Sequence, residues 1–413
     1  MGRLGIMRDV DRRTVLRMLG LSALALQLSG CASAGDAGLE ISNVGRAPQG
    51  DPVRSTLSTF AAGLLDAMPG GNVVLSPASI AVVLAMLANG TSTTTRTQFE
   101  KVLGSPIDTL NVELNSLDQR LAALDGQKGT SITFSNALWL QKGVAWQKPF
   151  LDSLKKWYGT AARAADFKQN PSGAVDTINA WCSSATKGLI PTIVDTSMIT
   201  TSTRVVAGNA VHIKGSWVTP FVQSLTTKEP FRTGSGAQVS ADTMHGTPYL
   251  KYLETGLLTS IALPFRHEDL AFIVALPTSE GPLKLTGMPD LCDVLDAQQT
   301  ELNLALPKFH AEFGLSLKSA LTGLGLVDAW SDMAADFSGI TGDRSLFLSF
   351  VQHKAVLTVD EKGAEGAAVT AGGASDSSLP ALTFRVDRPF LWAIVHVPTK
   401  ALVMLGREDD PTL

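Results

Sequence analysis

Cysteine is nearly absent. Three in 413 residues are too few for the disulfide framework of a small secreted domain. Charge is sparse at 17% of residues and has no basic surplus. The 34 Lys and Arg against 38 Asp and Glu give a formal net charge of −4, which argues against a nucleic-acid-binding protein. No run of about 18 apolar residues free of charge occurs, so no membrane-spanning helix is expected. Catalytic signatures are missing too: there is no G-x-S-x-G elbow, H-E-x-x-H, P-loop or helix-opening G-x-G-x-x-G. The six histidines (His212, His245, His267, His310, His353, His396) are scattered, none paired at metal-ligand spacing. No metal, cofactor or enzymatic activity is therefore expected. What the chain does have is apolar mass. At 45% hydrophobic residues it can bury a sizeable core and is not intrinsically disordered.

The first thirty residues differ from the rest. Five arginines and two aspartates precede the apolar run from Leu19 to Leu28, the pattern of an export signal too short to span a bilayer. Asp11-Arg12-Arg13-Thr14-Val15-Leu16-Arg17 resembles a twin-arginine motif, which implies bacterial export of a folded protein. Leu28-Ser29-Gly30-Cys31 resembles a lipobox, which implies cleavage before Cys31 and acylation of that residue. Lipid chains hold a protein on a membrane surface by burying CH₂ groups at ~0.8 kcal/mol each. Removal of residues 1–30 leaves 383 residues and a net charge of −7. The expected organisation is a signal over 1–30, a flexible Gly/Ala/Ser-rich tether over 31–52 and one domain over 53–413. The expected location is the cell envelope, lipid-anchored and facing the periplasm or exterior. Cys182 and Cys292 remain, either as two buried thiols, the blander reading, or as a pair formed in an oxidising envelope.

The domain reads as α+β. Leu57, Phe60, Leu64, Leu65 and Met68 recur at helical spacing up to Pro69-Gly70-Gly71. A second helix opens at Ser76-Pro77 and runs through the all-apolar Ile80–Leu87 stretch, which marks it as a buried central helix. Residues 132–140 read as a strand and 150–158 as a helix. The second half is mostly strands, over 204–213, 258–263, 270–276, 302–306, 355–359, 390–397 and 402–405. Helices early and strands late, without βαβ alternation, indicate α+β rather than α/β. There is no internal repeat and no linker that would split the domain.

One segment stands apart. Between Gly363 and Ala374, nine of twelve residues are Gly or Ala, in a loop that continues to Pro380. Such a loop is either a flexible surface linker or functional. Its parity favours function: positions 364, 366, 368, 370, 372 and 374 are Ala, Gly, Ala, Thr, Gly and Ala, and Glu365 falls on the other face. This face could enter a sheet interior, so the loop could become a strand. A dozen residues paired on both sides would gain on the order of 10 kcal/mol at ~1 kcal/mol per hydrogen bond.

Several motifs in one order resemble the serpin family: Asn72-Val-Val-Leu-Ser-Pro-Ala-Ser-Ile80, Thr97-Gln-Phe-Glu-Lys-Val-Leu-Gly104, Asn209-Ala-Val-His-Ile-Lys-Gly-Ser-Trp217, Asp336-Phe-Ser-Gly-Ile340, His353-Lys354-Ala355 and Asp387-Arg388-Pro389-Phe390. The similarity runs over about residues 53–408. It implies the serpin fold: three β-sheets, about eight or nine helices and an exposed reactive-centre loop. It also implies suicide inhibition of serine, sometimes cysteine, proteases. The protease cleaves the loop and forms a covalent acyl complex, and the loop then inserts into the large sheet.

By the same resemblance Glu361, Gly363, Ala364, Glu365, Gly366, Ala367 and Ala368 form the hinge of that loop, with Ala364 where Thr or Ser is commoner. The reactive bond falls at Ser377–Ser378, with cleavage after Asp376 or Leu379 as the alternatives in a segment one residue longer than usual. A small Ser there suits elastase- or subtilisin-like proteases. Ser76, Ser79, Asn209 and His353 fall at the shutter, where strands must part. Trp217 and Lys308 fall at the breach, where insertion begins, and Lys308 would pair with Glu361, either as a gate or as a surface pair worth ~0–1 kcal/mol. Besides the protease, the implied partner is the membrane, through Cys31. The chain is expected to be a monomer that binds no nucleic acid. A different class of function is a non-inhibitory serpin-fold lipoprotein acting as a binding or adhesion module. The Ala/Gly-rich hinge favours inhibition.

Overall fold

In a computed structural model of the full chain, the residues described are 45–413, apart from 52, 53, 161, 280, 282 and 365–381. Helix α1 (Ser58–Asp66) is followed by strand β1 (Val73–Leu75) and helix α2 (Pro77–Ala88). Ser76 caps α2: its hydroxyl accepts the Ser79 N–H, and proline at the first helical position donates nothing the turn needs. All twelve α2 residues are buried, as a helix apolar on every side from Ile80 onward requires. Helices α3 (Thr93–Leu103) and α4 (Ile107–Leu124), strand β2 (Ser131–Gln141), helix α5 (Lys148–Tyr158), strand β3 (Arg163–Ala165) and helix α6 (Pro171–Ala185) complete the first half.

Strands dominate the second half: β4 (Val205–Ser216), β5 (Thr227–Arg232), β6 (Gln238–Gly246), β7 (Tyr249–Glu254), β8 (Leu258–Pro264), β9 (Leu270–Pro277), β10 (Gln299–Pro307) and β11 (Phe309–Ser316). Short helices α7 (Lys318–Gly323) and α8 (Ser338–Thr341) lead to β12 (Phe350–Asp360), β13 (Gly363–Ala364), β14 (Leu382–Arg385), β15 (Phe390–His396) and β16 (Ala401–Glu408). The described residues thus hold eight α-helices, and none is long and apolar enough to cross a membrane.

Two hydrogen-bonded ladders result. Six strands run in the order β11-β12-β13-β4-β2-β3, and ten in the order β1-β16-β15-β9-β8-β7-β10-β6-β5 with β14 also on β10. Strand β10 joins two parts of the larger ladder, because Gln299–Glu301 pair with β7 whereas Leu304–Pro307 pair with β6. Counted by these parts the described residues form three sheets. Strands β9 and β15, almost wholly apolar, are buried at every position, which explains their lack of alternation. Helix α2 touches β2 and β4 of the smaller ladder and β16 of the larger one, so it sits where the two meet. On the other face of β2 and β4, Trp139 packs edge-on against Trp181 of α6, their ring centroids 4.9 Å apart. Gly208 makes room for this, since a Cβ there would lie 2.7 Å from the Trp139 ring.

The described residues fall in one compact unit, Leu39–Leu413. Residues 45–51, within the stretch expected as tether, lie along α4. Arg46 pairs with Asp118 at 2.5 Å, and the buried Asn115 amide donates to the carbonyls of Ala47 and Pro48. Cys182 and Cys292 are buried, unpaired thiols, so the disulfide alternative is not realised. Burial pushes both up, Cys182 to about 11.

Candidate functional site: the parting of two parallel strands

The six-stranded sheet contains one parallel pair at its centre. From Phe350↔Val206 to Val356↔His212, β12 and β4 pair directly over seven residues. Beyond that point they separate, and β13 fills the gap. Gly363 and Ala364 pair antiparallel with both neighbours: Gly363 with Asp360 and Ser216, Ala364 with Val359 and Gly215. The hinge residues Gly363 and Ala364 are therefore already strand, not exposed loop. Ala364 is fully buried in an apolar cluster with Val211, Leu357, Val359 and Trp217, on the side that the parity of small residues assigns to the interior. Only glycine fits before it, because a Cβ on Gly363 would lie 2.0 Å from the Gly215 carbonyl oxygen. The other hinge positions (Glu365, Gly366, Ala367, Ala368), the Ser377–Ser378 bond and Cys31 lie outside the described residues.

Where the strands part, Trp217 closes the gap. Its ring stacks on Phe265 at 4.9 Å and meets Phe272 edge-on at 5.6 Å. Its indole N–H donates to the Asp360 carbonyl at 2.9 Å. Beside it Lys308 Nζ lies 3.1 Å from Glu361 Oε2, and the Thr226 hydroxyl donates to Oε1 at 2.8 Å. The Glu361 side chain is 9% exposed and that of Lys308 34%, so this pair is half-buried rather than a loose surface contact. Burial alone lifts the Glu361 carboxyl. Its own backbone N–H, Thr226 and Lys308 outweigh that and hold it below the usual carboxylate range.

Beneath the parallel pair lies a buried polar cluster. His353 of β12 sits directly opposite Asn209 of β4, which sits opposite Asn136 of β2. The Ser76 N–H donates to His353 Nε2 at 3.3 Å, and Nδ1, which then carries the proton, donates to Asn209 Oδ1 at 2.6 Å. The Asn209 amide donates to Asn136 Oδ1 at 2.7 Å and to the Ser79 hydroxyl. Ser79 Oγ–H donates to Asn136 Oδ1 at 3.0 Å, and Ser76 Oγ–H to the Val403 carbonyl of β16 at 2.6 Å. Ser76, Ser79, Asn209 and His353 are thus one network tying α2 to both ladders. Asn136 is a fifth member that sequence reasoning missed, although an amide in the middle of the strand-like stretch 132–140 was a visible signal. Complete burial pushes the His353 imidazole down to about 3, so it is neutral. Among the described residues no cluster of His, Cys, Asp or Glu could hold a metal ion.

Fold and site define a class: an α+β protein whose central sheet admits, between two parallel strands, the start of its own glycine- and alanine-rich loop. The comparisons agree. The family model Serpin (serine protease inhibitor) matches residues 56–411. Leukocyte elastase inhibitor of Xenopus laevis is 33% identical over 361 residues, 83% of this chain and 93% of that protein. The human protein of that name is 32% identical over 374 residues, 87% and 98% of the two chains. The crystal structure of a thermophilic serpin, tengpin, in its native state superposes with a TM-score of 0.78 at 25% identity, covering 91% of this chain and all of that one. The chain belongs to the serpin family.

Proposed function

We propose that this protein inhibits serine proteases as a single-use bait, by cleavage of the loop after β13 and its insertion between β4 and β12. The observation that carries the reading is the register of β13. Continued unchanged, it sets residue 367 between Val356 and His212, and residue 373 between Phe350 and Val206. Residues 367–373 then replace the seven parallel pairs one for one. Residues 366, 368, 370 and 372 (Gly, Ala, Thr, Gly) share the inward face with Ala364 and are small enough for it. Thr370 arrives between His353 and Asn209, where its hydroxyl offers both a donor and an acceptor for the bond it interrupts. One parallel ladder gives way to two antiparallel ones. At ~1 kcal/mol net per added hydrogen bond the gain is on the order of 10 kcal/mol before ordering costs.

The serine nucleophile belongs to the protease, and this chain supplies the acyl carbonyl and the stored free energy. Insertion drags the attached protease away and stalls hydrolysis of the acyl bond. Ser377–Ser378 as the reactive bond favours elastase- or subtilisin-like targets, in keeping with the names of the two relatives. The signal over 1–30, the acylated Cys31 and the stretch up to residue 52 would place the domain on a membrane surface of the envelope. Mixing the soluble domain with elastase-, subtilisin-, trypsin- and caspase-like proteases tests the activity. An SDS-resistant species of summed mass is expected with at least one of them. Clean loop cleavage by all four would overturn inhibition and favour the binding-module alternative. For the location, Cys31→Ser should shift the exported protein from the membrane to the soluble fraction.

A further inference from the structure

Strand β13 reaches its place through a two-residue reversal, Glu361-Lys362, closed by the Asp360↔Gly363 pair. Two-residue hairpins favour type I′ or II′ turns, which need a positive φ at the first turn position. Neither Glu361 nor Lys362 takes one. The sequence Asp-Glu-Lys-Gly instead suits a type I turn, with Asp first and Gly fourth, whose twist matches flanking strands poorly. Something other than turn preference must hold it. Asp360 Oδ1 accepts the Lys362 N–H at 2.8 Å and the Gly363 N–H at 3.2 Å. The three carbonyls of the reversal face the other way, into residues 217–221. Asp360 O accepts the Trp217 indole N–H, Lys362 O the Trp217 backbone N–H at 3.0 Å, and Glu361 O the Phe221 N–H at 2.8 Å.

We infer that Asp360 is a positioning residue for loop insertion: its carboxylate fixes the reversal so that the first two inserted residues are in register before any protease arrives. An inserted strand that begins at Gly363 needs this same reversal, so the turn is built once and kept. Insertion then adds residues to a started strand and avoids the costly closure of the first pair. Because deacylation competes with insertion, a slower start diverts the protein from inhibitor to substrate. Asp360 precedes the proposed reactive bond by 17 residues, and its carboxylate is spent on the reversal itself. Its loss should therefore leave the first cleavage unchanged and alter only the partition that follows.

This inference rests on the inhibitory reading, and its test keeps the two separable. Wild type, Asp360→Asn, Asp360→Ala and Asp360→Glu are compared in two assays: moles of inhibitor consumed per mole of protease, and the rate at which loop-nicked protein acquires resistance to urea. Asn retains the acceptor and should stay within about twofold of wild type. Ala and Glu, the latter keeping the charge but displacing the acceptor by a methylene, should raise consumption and slow the gain of resistance by at least about tenfold, since both hydrogen bonds to Oδ1 are lost and one bond to a charged acceptor is already worth about that factor in a rate. The rate of initial cleavage should not change. Should Ala fail to fold, Asn against Glu carries the comparison, and Glu behaving as wild type overturns the inference, as does Ala matching wild type in both assays. Should wild type trap no protease yet gain urea resistance about tenfold faster than Ala after nicking, inhibition fails and the role of Asp360 stands.

Discussion

Mild acid should loosen the sheet at His353. The imidazole is fully buried between α2 and β4 and held neutral, pushed down to about 3 from 6.5, with burial as the cause. The neutral ring accepts the Ser76 N–H at Nε2, and protonation replaces that acceptor with a second donor aimed at a donor. A histidine depressed in the folded state stabilises fully above its unfolded value of 6.5 and loses that contribution as pH falls. Below pH 6.5 the unfolded chain takes up a proton that the native one refuses, at about 1.4 kcal/mol per pH unit down to about pH 3. At pH 5 the loss is about 2 kcal/mol, or about 3 °C in melting temperature for a domain of roughly 360 residues at ~2.1 cal/mol/K per residue.

His396, also lowered, to about 4, chiefly by burial, adds a loss of the same sign. The difference between wild type and His353→Gln isolates the contribution of His353. Melting curves for both, from pH 7.5 to 5.0, are the assay. Gln costs stability at pH 7.5 through its poorer fit, and the gap between the two proteins should narrow by about 2 kcal/mol at pH 5. Parallel pH profiles would refute the argument.

Glu408 should act at the opposite end of the scale. Its carboxyl is fully buried with neither oxygen hydrogen-bonded, and burial first, then Asp409 and Asp410, raise it to about 9. Its folded value lies above the unfolded one, so stability is highest below about pH 4.5 and falls as pH rises towards about 9. Glu408→Leu should therefore stabilise the protein by about 3 kcal/mol at pH 7 and flatten the alkaline limb of its melting profile. An unchanged limb would mean that Glu408 finds a partner. At the hinge, Ala364→Arg forces a cation into a position with no exposure among apolar side chains. It should turn an inhibitor into a substrate, read as loss of the SDS-resistant complex with loop cleavage intact, and an unchanged complex yield would contradict insertion.

How much was legible in the sequence depended on whether an element's partners are local. Helix α2 declared itself because all twelve residues are buried and Ser76-Pro77 supplies both cap and first turn. The almost wholly apolar β9 and β15 showed for the same reason. Helix α4 did not, because it buries Glu113, Asn115 and Ser116 under Pro48, Asp51, Ser55 and Thr56, partners about sixty positions earlier in the chain. Strands β6 and β7 were hidden by mixed burial and many polar residues. The members of the polar cluster came from family motifs, not from spacing, since Ser76, Asn209 and His353 meet only through the sheet register. The residues of Gly363–Ala364 were marked by composition, but their pairing with β4 and β12 was not, since a two-residue strand leaves no periodicity.

The central claim is that this chain holds an incomplete sheet whose missing strand is its own loop. Thermal denaturation before and after a single nick in the loop between Ala364 and Leu382 tests it most directly. If residues 365–373 add themselves between β4 and β12, the nicked protein should melt by roughly 10 °C or more above the intact one, the direction set by on the order of 10 kcal/mol of new pairing. A melting temperature unchanged or lowered by the nick would contradict it.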